Sequence, residues 1–127
     1  MTVADTDVLI DFLQGKGASR YVGEELAAGR LAATVISHFE LLSGAGNARR
    51  RDSVQSLLDA LPVLSLDRDA ATRAAEIRRG LDQAGIGIGM ADSLIAGIVL
   101  SLGARLLTRN RRHFERIVNL PLIDWRE

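Results

Sequence analysis

The chain has 127 residues, 16 basic and 16 acidic side chains for a net charge of zero, 47% hydrophobic residues and no cysteine. That length suits one domain with its own core, and the composition excludes disordered and collagen-like chains. Without cysteine there are no disulfides, zinc–thiolate sites, iron–sulfur clusters or thiol nucleophiles, and the zero net charge does not support a strongly basic nucleic-acid binder.

Residues 1–4 read as a short strand that runs into Asp5. Residues 6–13 are apolar almost all round, which predicts a short buried helix; 18–28 form a second helix, closed by Gly29. A strand over 31–34 leads into a helix over 35–42 that stops at a loop containing Gly44 and Gly46. In 52–61, Val54, Leu57, Leu58 and Leu61 share one helical face, and Pro62 breaks the helix. Residues 63–65 read as a buried strand. Asp67 then caps a long helix to residue 84, with Ala70, Ala74, Ile77, Leu81 and Ala84 on one face. A glycine-rich turn over 85–89 opens the most apolar helix, 90–102, which Gly103 ends. A strand over 105–108, at most a helical turn over 113–117 and a last short strand over 120–124 complete the chain.

Short strands separated by helices predict an α/β fold, with a parallel sheet covered on both faces. Residues 94–102 are the most apolar run and fall well short of the roughly 20 needed to cross a bilayer. Asp5, Asp7 and Asp11 stand where a signal peptide carries positive charge, so the expected location is cytoplasmic.

In parallel sheets, sites form beyond the carboxyl ends of the strands. Asp5 follows the first strand, and it is also a good N-cap for the helix after it. Glu40 lies in the helix after the second strand. Ser37-His38-Phe39-Glu40 fits a capping box, but Thr34 is the more natural cap, which leaves Glu40 among Phe39, Leu41 and Leu42 in need of a partner. Asp92 opens the most apolar helix. The helix dipole accounts for an acid there, though not for the glycines ahead of it. Thr108, Arg109 and Asn110 follow the fourth strand, where Asn110 also suits a plain turn. Two carboxylates about 4 Å apart repel by about 4 kcal/mol at an effective dielectric near 20, so acids gathered on one rim call for a cation. Oxygen ligands without a His or Cys framework select Mg²⁺ or Mn²⁺, ions that act on phosphates.

Four stretches resemble the motifs of the PIN domain in their usual order. They are Asp5-Thr6-Asp7, Glu40-Leu41-Leu42-Ser43-Gly44, Asp92-Ser93-Leu94-Ile95-Ala96, and Thr108-Arg109-Asn110 with Phe114. More narrowly they look like the VapC toxins of toxin–antitoxin pairs. The resemblance covers residues 1–127, as one PIN domain. It implies a three-layer α/β/α sandwich with strand order 3-2-1-4-5 and a Mg²⁺- or Mn²⁺-dependent endoribonuclease. It further implies a homodimer, and a VapB-type antitoxin that wraps the toxin and blocks its site. Carried over by motif, Asp5, Glu40 and Asp92 form the catalytic metal site. Thr6, Thr108 and Asn110 support it.

The last motif departs from the family pattern, because His113 stands where many members carry a fourth acid. His113 joins the supporting residues; as a ligand it would favour Mn²⁺ over Mg²⁺, and as a cation it would meet an RNA phosphate. Arg109, Arg111 and Arg112 are the candidate RNA contacts, with a second basic cluster at Arg49, Arg50 and Arg51. Phe12, Leu13, Tyr21 and Val22 offer apolar groups on which an amphipathic partner helix could lie. A haloacid-dehalogenase-type phosphatase or a receiver domain needs a lysine after a later strand, and the single lysine, Lys16, is misplaced for both. The remaining alternative is a weakened PIN domain that acts mainly by binding its antitoxin.

Overall fold

The computed structural model describes residues 1–126. Its elements run β1 (Thr2–Ala4), α1 (Thr6–Leu13), α2 (Ser19–Ala27), β2 (Leu31–Thr34), α3 (Val35–Gly44), α4 (Ala48–Asp59), β3 (Val63–Leu64), α5 (Arg68–Gln83), α6 (Met90–Ser101), β4 (Arg105–Leu107) and α7 (Arg111–Phe114). The four strands are parallel and lie in the order β3-β2-β1-β4. In register, Val3 of β1 stands between Ala32 of β2 and Leu106 of β4.

Neighbouring strand residues point to opposite faces and feed two separate cores. Ala4 and Leu107 join Val8, Leu9, Val22, Leu41, Leu57 and Leu58 on one face. Val3 and Leu106 join Ile95, Ala96, Val99 and Phe114 on the other. Two apolar layers around one sheet make the expected α/β/α sandwich. Helices α5 and α6 touch at Gly97, where a Cβ would run into the carbonyl oxygen of Ala70 and lie 2.9 Å from the Ala74 nitrogen. At that crossing only glycine fits.

The fifth strand of the expected order does not form. Residues 120–124 lie beside β4, but Leu122 makes only an isolated parallel bridge to Leu106. Pro121 has no N–H to give to a ladder, and its carbonyl accepts from Leu106 at 2.9 Å instead. Helix α4 also starts earlier than its apolar stripe, because the Asn47 side chain accepts from the Arg50 N–H at 2.9 Å and caps it.

Candidate functional site

The rim at the carboxyl ends of β1, β2 and β4 carries the predicted residues. Asp5 is 6% exposed. Its Oδ1 accepts from the Thr6 backbone N–H at 2.8 Å, capping α1, and its Oδ2 accepts from the Thr108 hydroxyl at 2.8 Å. Burial and then the charge of Asp7 push its carboxyl up to about 7; the two hydrogen bonds oppose the rise and Asp92 adds to it.

Glu40 has the partner its apolar neighbours demand. The Thr6 hydroxyl donates to Glu40 Oε1 at 2.7 Å and stands 2.8 Å from the buried Ser37 hydroxyl. Since the Thr6 proton goes to Glu40, Ser37 donates to Thr6. Thr34, not Ser37, caps α3, accepting from the Ser37 N–H at 3.2 Å. Asp92 sits in the first turn of α6, and burial raises its carboxyl, with His113 pulling it down and Glu40 pushing it up. Asp7 is raised as well, by burial first, against the counter-charge of Arg109. Its Oδ1 is buried with no hydrogen-bond partner among the described residues.

The opposite rim shows what a purely structural acid looks like. Glu25, 4% exposed, accepts from the Thr2 hydroxyl at 2.8 Å, the Tyr21 hydroxyl at 3.2 Å and Arg30 Nε at 2.7 Å. Burial works against its charge, yet these donors hold its carboxyl below the ordinary range. At Asp5, Asp7 and Asp92 the lowering contacts do not offset burial.

The supporting residues divide. Thr6 and Thr108 touch the acids directly. Asn110 donates its backbone N–H to Thr108 Oγ1 at 3.0 Å, while its exposed side chain makes no hydrogen bond among the described residues. His113 Nε2 lies 3.0 Å from Asp92 Oδ2, and Arg116 Nη2 lies 2.9 Å from its Nδ1 and 3.5 Å from its Nε2. The ring is thus held between Asp92 and Arg116. The arginines divide too. Arg109 grips buried Asp11 with Nη1 at 3.0 and 3.1 Å, and its Nε is 3.8 Å from Asp7. Arg111 donates to the Ile123 carbonyl at 2.8 Å, which ties down the last segment. Arg112 is exposed and makes no ion pair among the described residues. Sequence reasoning gave Ser37 and Asp11 no part in the site, the one hidden under a capping box and the other brought in by the fold.

The apolar face expected for a partner is also redistributed. Val22 is fully buried and Phe12 packs against the core, whereas Ile10 and Leu13 are exposed, at 41% and 38%. They line a groove with Glu40, Leu41, Arg50 and Val54.

Glu40 Oε2, Asp92 Oδ1 and Asp7 Oδ1 accept no hydrogen bond among the described residues. An all-carboxylate donor set with spare oxygens fits a hard divalent cation in kind. In this arrangement, no group of three His, Cys, Asp or Glu side chains among the described residues is close enough to hold one. Asp5 with Asp92, and Asp92 with Glu40, nonetheless feel one another's charge.

The model of the PIN domain matches residues 2–120, and the chain belongs to the PIN-domain family. It is 30% identical to the tRNA(fMet)-specific endonuclease VapC of Shigella flexneri over 125 residues, covering 95% of each chain. It is 35% identical to ribonuclease VapC10 of Mycobacterium tuberculosis over 115 residues, 90% of this chain and 86% of that one. The DNA-bound VapBC structure from Salmonella typhimurium superposes with a TM-score of 0.87 at 29% identity, over 98% of this chain and 97% of that one. Within the family, the chain is of the VapC type. No helix among the described residues is long and apolar enough to cross a membrane.

Proposed function

We propose that this chain is a cytoplasmic, Mg²⁺- or Mn²⁺-dependent endoribonuclease, the toxin of a VapBC-type pair, folded as one PIN domain. The observation that carries the reading is the contrast between the two rims. Glu25 is buried and fully compensated, while Asp5, with Asp7 and Asp92 beside it, is buried and strongly disfavoured as an anion. A native state keeps such a cluster where a cation completes it.

Asp5, Glu40 and Asp92 would hold the ion. When bound, the ion supplies acidified water and counter-charge for the phosphodiester oxygens. Thr6 and Thr108 orient Glu40 and Asp5, and Ser37 fixes Thr6. Arg112, exposed and without an ion pair among the described residues, would meet an RNA phosphate. Arg109 and Arg111 contribute the charge that their protein partners leave over. The groove at Ile10 and Leu13 suits an apolar stripe of an antitoxin helix, whose basic groups would meet Glu40. Phe39 and Met90, 69% and 64% exposed, offer apolar surface to a second copy in a homodimer.

Purified chain stripped of metal should leave RNA intact and cut it once Mn²⁺ or Mg²⁺ is added. One second reading has an observation behind it. Because no three of these side chains stand within reach of one ion among the described residues, the chain could be a weakened nuclease kept as an antitoxin-binding module. Intact RNA with either cation, alongside retained partner binding, would favour that alternative.

A further inference from the structure

We infer that the groove leaving the acid rim at Glu40 carries the RNA strand away from the cut, with Arg49 and Arg50 as its phosphate contacts. The topology brings these groups together. Helix α4 leads into β3, which runs parallel to β2, so the start of α4 lies at the rim where the strands end. Glu40, one loop earlier in α3, opens onto the same groove. Its walls include Ile10, Leu13, Gln14, Arg49 and Arg50, and its volume is about 660 Å³, within the range of clefts that enclose a ligand.

Nothing in the fold accounts for the cations. After Ala48, the first turn of α4 is Arg49, Arg50 and Arg51 with no acid, whereas the helix dipole favours acids there. All three are exposed, and their guanidinium groups make no ion pair or hydrogen bond among the described residues. Arg20, Arg30, Arg73 and Arg109, by contrast, all hold carboxylates. Uncommitted cations beside a groove that ends at the proposed cutting site fit a polyanion, and RNA is the polyanion that site takes. No aromatic side chain lines the groove among the described residues. It therefore offers bases no stacking platform, and it holds the backbone without reading the sequence. Arg112 follows β4, at the edge of the sheet opposite β3, so basic groups flank the acids on both sides. An antitoxin helix seated on Ile10 and Leu13 would cover the same path, and the two ligands would exclude one another.

This inference rests on the proposed ribonuclease reading, and the test separates the two. Fluorescence anisotropy of a labelled single-stranded oligoribonucleotide reports its binding to the metal-free chain. The double variant Arg49→Ala/Arg50→Ala should weaken that binding about tenfold at low salt. It should also flatten the slope of log affinity against log salt by about 1.4, the loss of two phosphate contacts on a single strand. Its melting temperature should not fall, since the first turn of α4 loses cations that the dipole disfavours. Arg78→Ala/Arg79→Ala removes two exposed arginines of α5 that lie outside the groove, and it should leave affinity and slope unchanged. Unchanged RNA binding in the first variant would overturn the inference. Equal losses in both variants would overturn it too, since net charge alone would then explain them, and so would an unmodified chain that binds no RNA. RNA binding kept while binding of a poly-glutamate peptide is lost would give the basic lip to an acidic partner and overturn it likewise. The expected losses, with RNA left whole after Mn²⁺ is added, would uphold the groove and defeat the ribonuclease reading instead.

Discussion

Thr108 donates its hydroxyl to Asp5 Oδ2 across 2.8 Å, joining residues 103 apart in sequence at the ends of β4 and β1. The bond is one of two that favour the charged form of Asp5, and burial together with Asp7 still overrides both. Metal-free, the rim is therefore a destabilised part of the fold.

The sign of the pH dependence follows. The folded value of Asp5, about 7, lies above its ordinary 3.8. Its contribution is thus fully present below the ordinary value and is lost as pH rises through the folded one, by about 4 kcal/mol at most. Melting temperatures of the metal-free chain should fall between about pH 4 and pH 7, and Asp5→Asn should flatten that fall. Equal slopes in the two proteins would show that Asp5 titrates normally.

Added cation should reverse the loss. A ligand of the native state at about 100 times its Kd stabilises by about 2.7 kcal/mol. Mn²⁺ should raise the melting temperature of the unmodified chain at pH 8. Asp92→Asn should abolish the rise while keeping the metal-free fold at least as stable, since it removes a carboxylate whose charged form burial disfavours. A marked loss of metal-free stability would make Asp92 a structural cap instead.

Arg109 and Arg112 should part company. Arg109→Ala leaves Asp11, 5% exposed, without its charged partner, and should destabilise by about 1–3 kcal/mol. Arg112→Ala should leave the melting temperature alone and weaken RNA cleavage in a salt-dependent way. Thermal melts and cleavage rates at two salt concentrations check both.

Gly97→Ala should destabilise by about 1–3 kcal/mol, because the new methyl meets the Ala70 carbonyl where α5 and α6 cross. Gly87→Ala makes a useful control, since a Cβ there meets nothing within 4 Å. Denaturant midpoints of the two variants should separate clearly.

The sequence announced those parts of the fold whose causes are local. Asp67 caps α5 by accepting from the Ala70 N–H at 2.9 Å, as its place before an apolar stripe suggests. Asp5 and Thr34 likewise stand where strand turns into helix. The apolar stripe of α4 concealed its start, because the first turn is Arg-rich and only Asn47 marks it. The expected last strand failed at Pro121 through a missing donor that alternation of side chains does not weigh. Ser37 was hidden inside a plausible capping box. The pairing of Arg109 with Asp11 joins residues 98 apart, and only the closed sheet brings them together. The glycines of the turn before α6 suggested close approach by a ligand. Of these only Gly85 has positive φ, 74°, and none is crowded by the chain.

Whether three acids from separate stretches serve one ion is decided by calorimetric titration of Mn²⁺ into the metal-free chain and into Asp5→Asn, Glu40→Gln and Asp92→Asn. The account predicts binding in the unmodified chain and a loss of about tenfold or more in each variant, with the fold retained by circular dichroism. Undiminished affinity in any one of the three would contradict a shared site and remove that carboxylate from it.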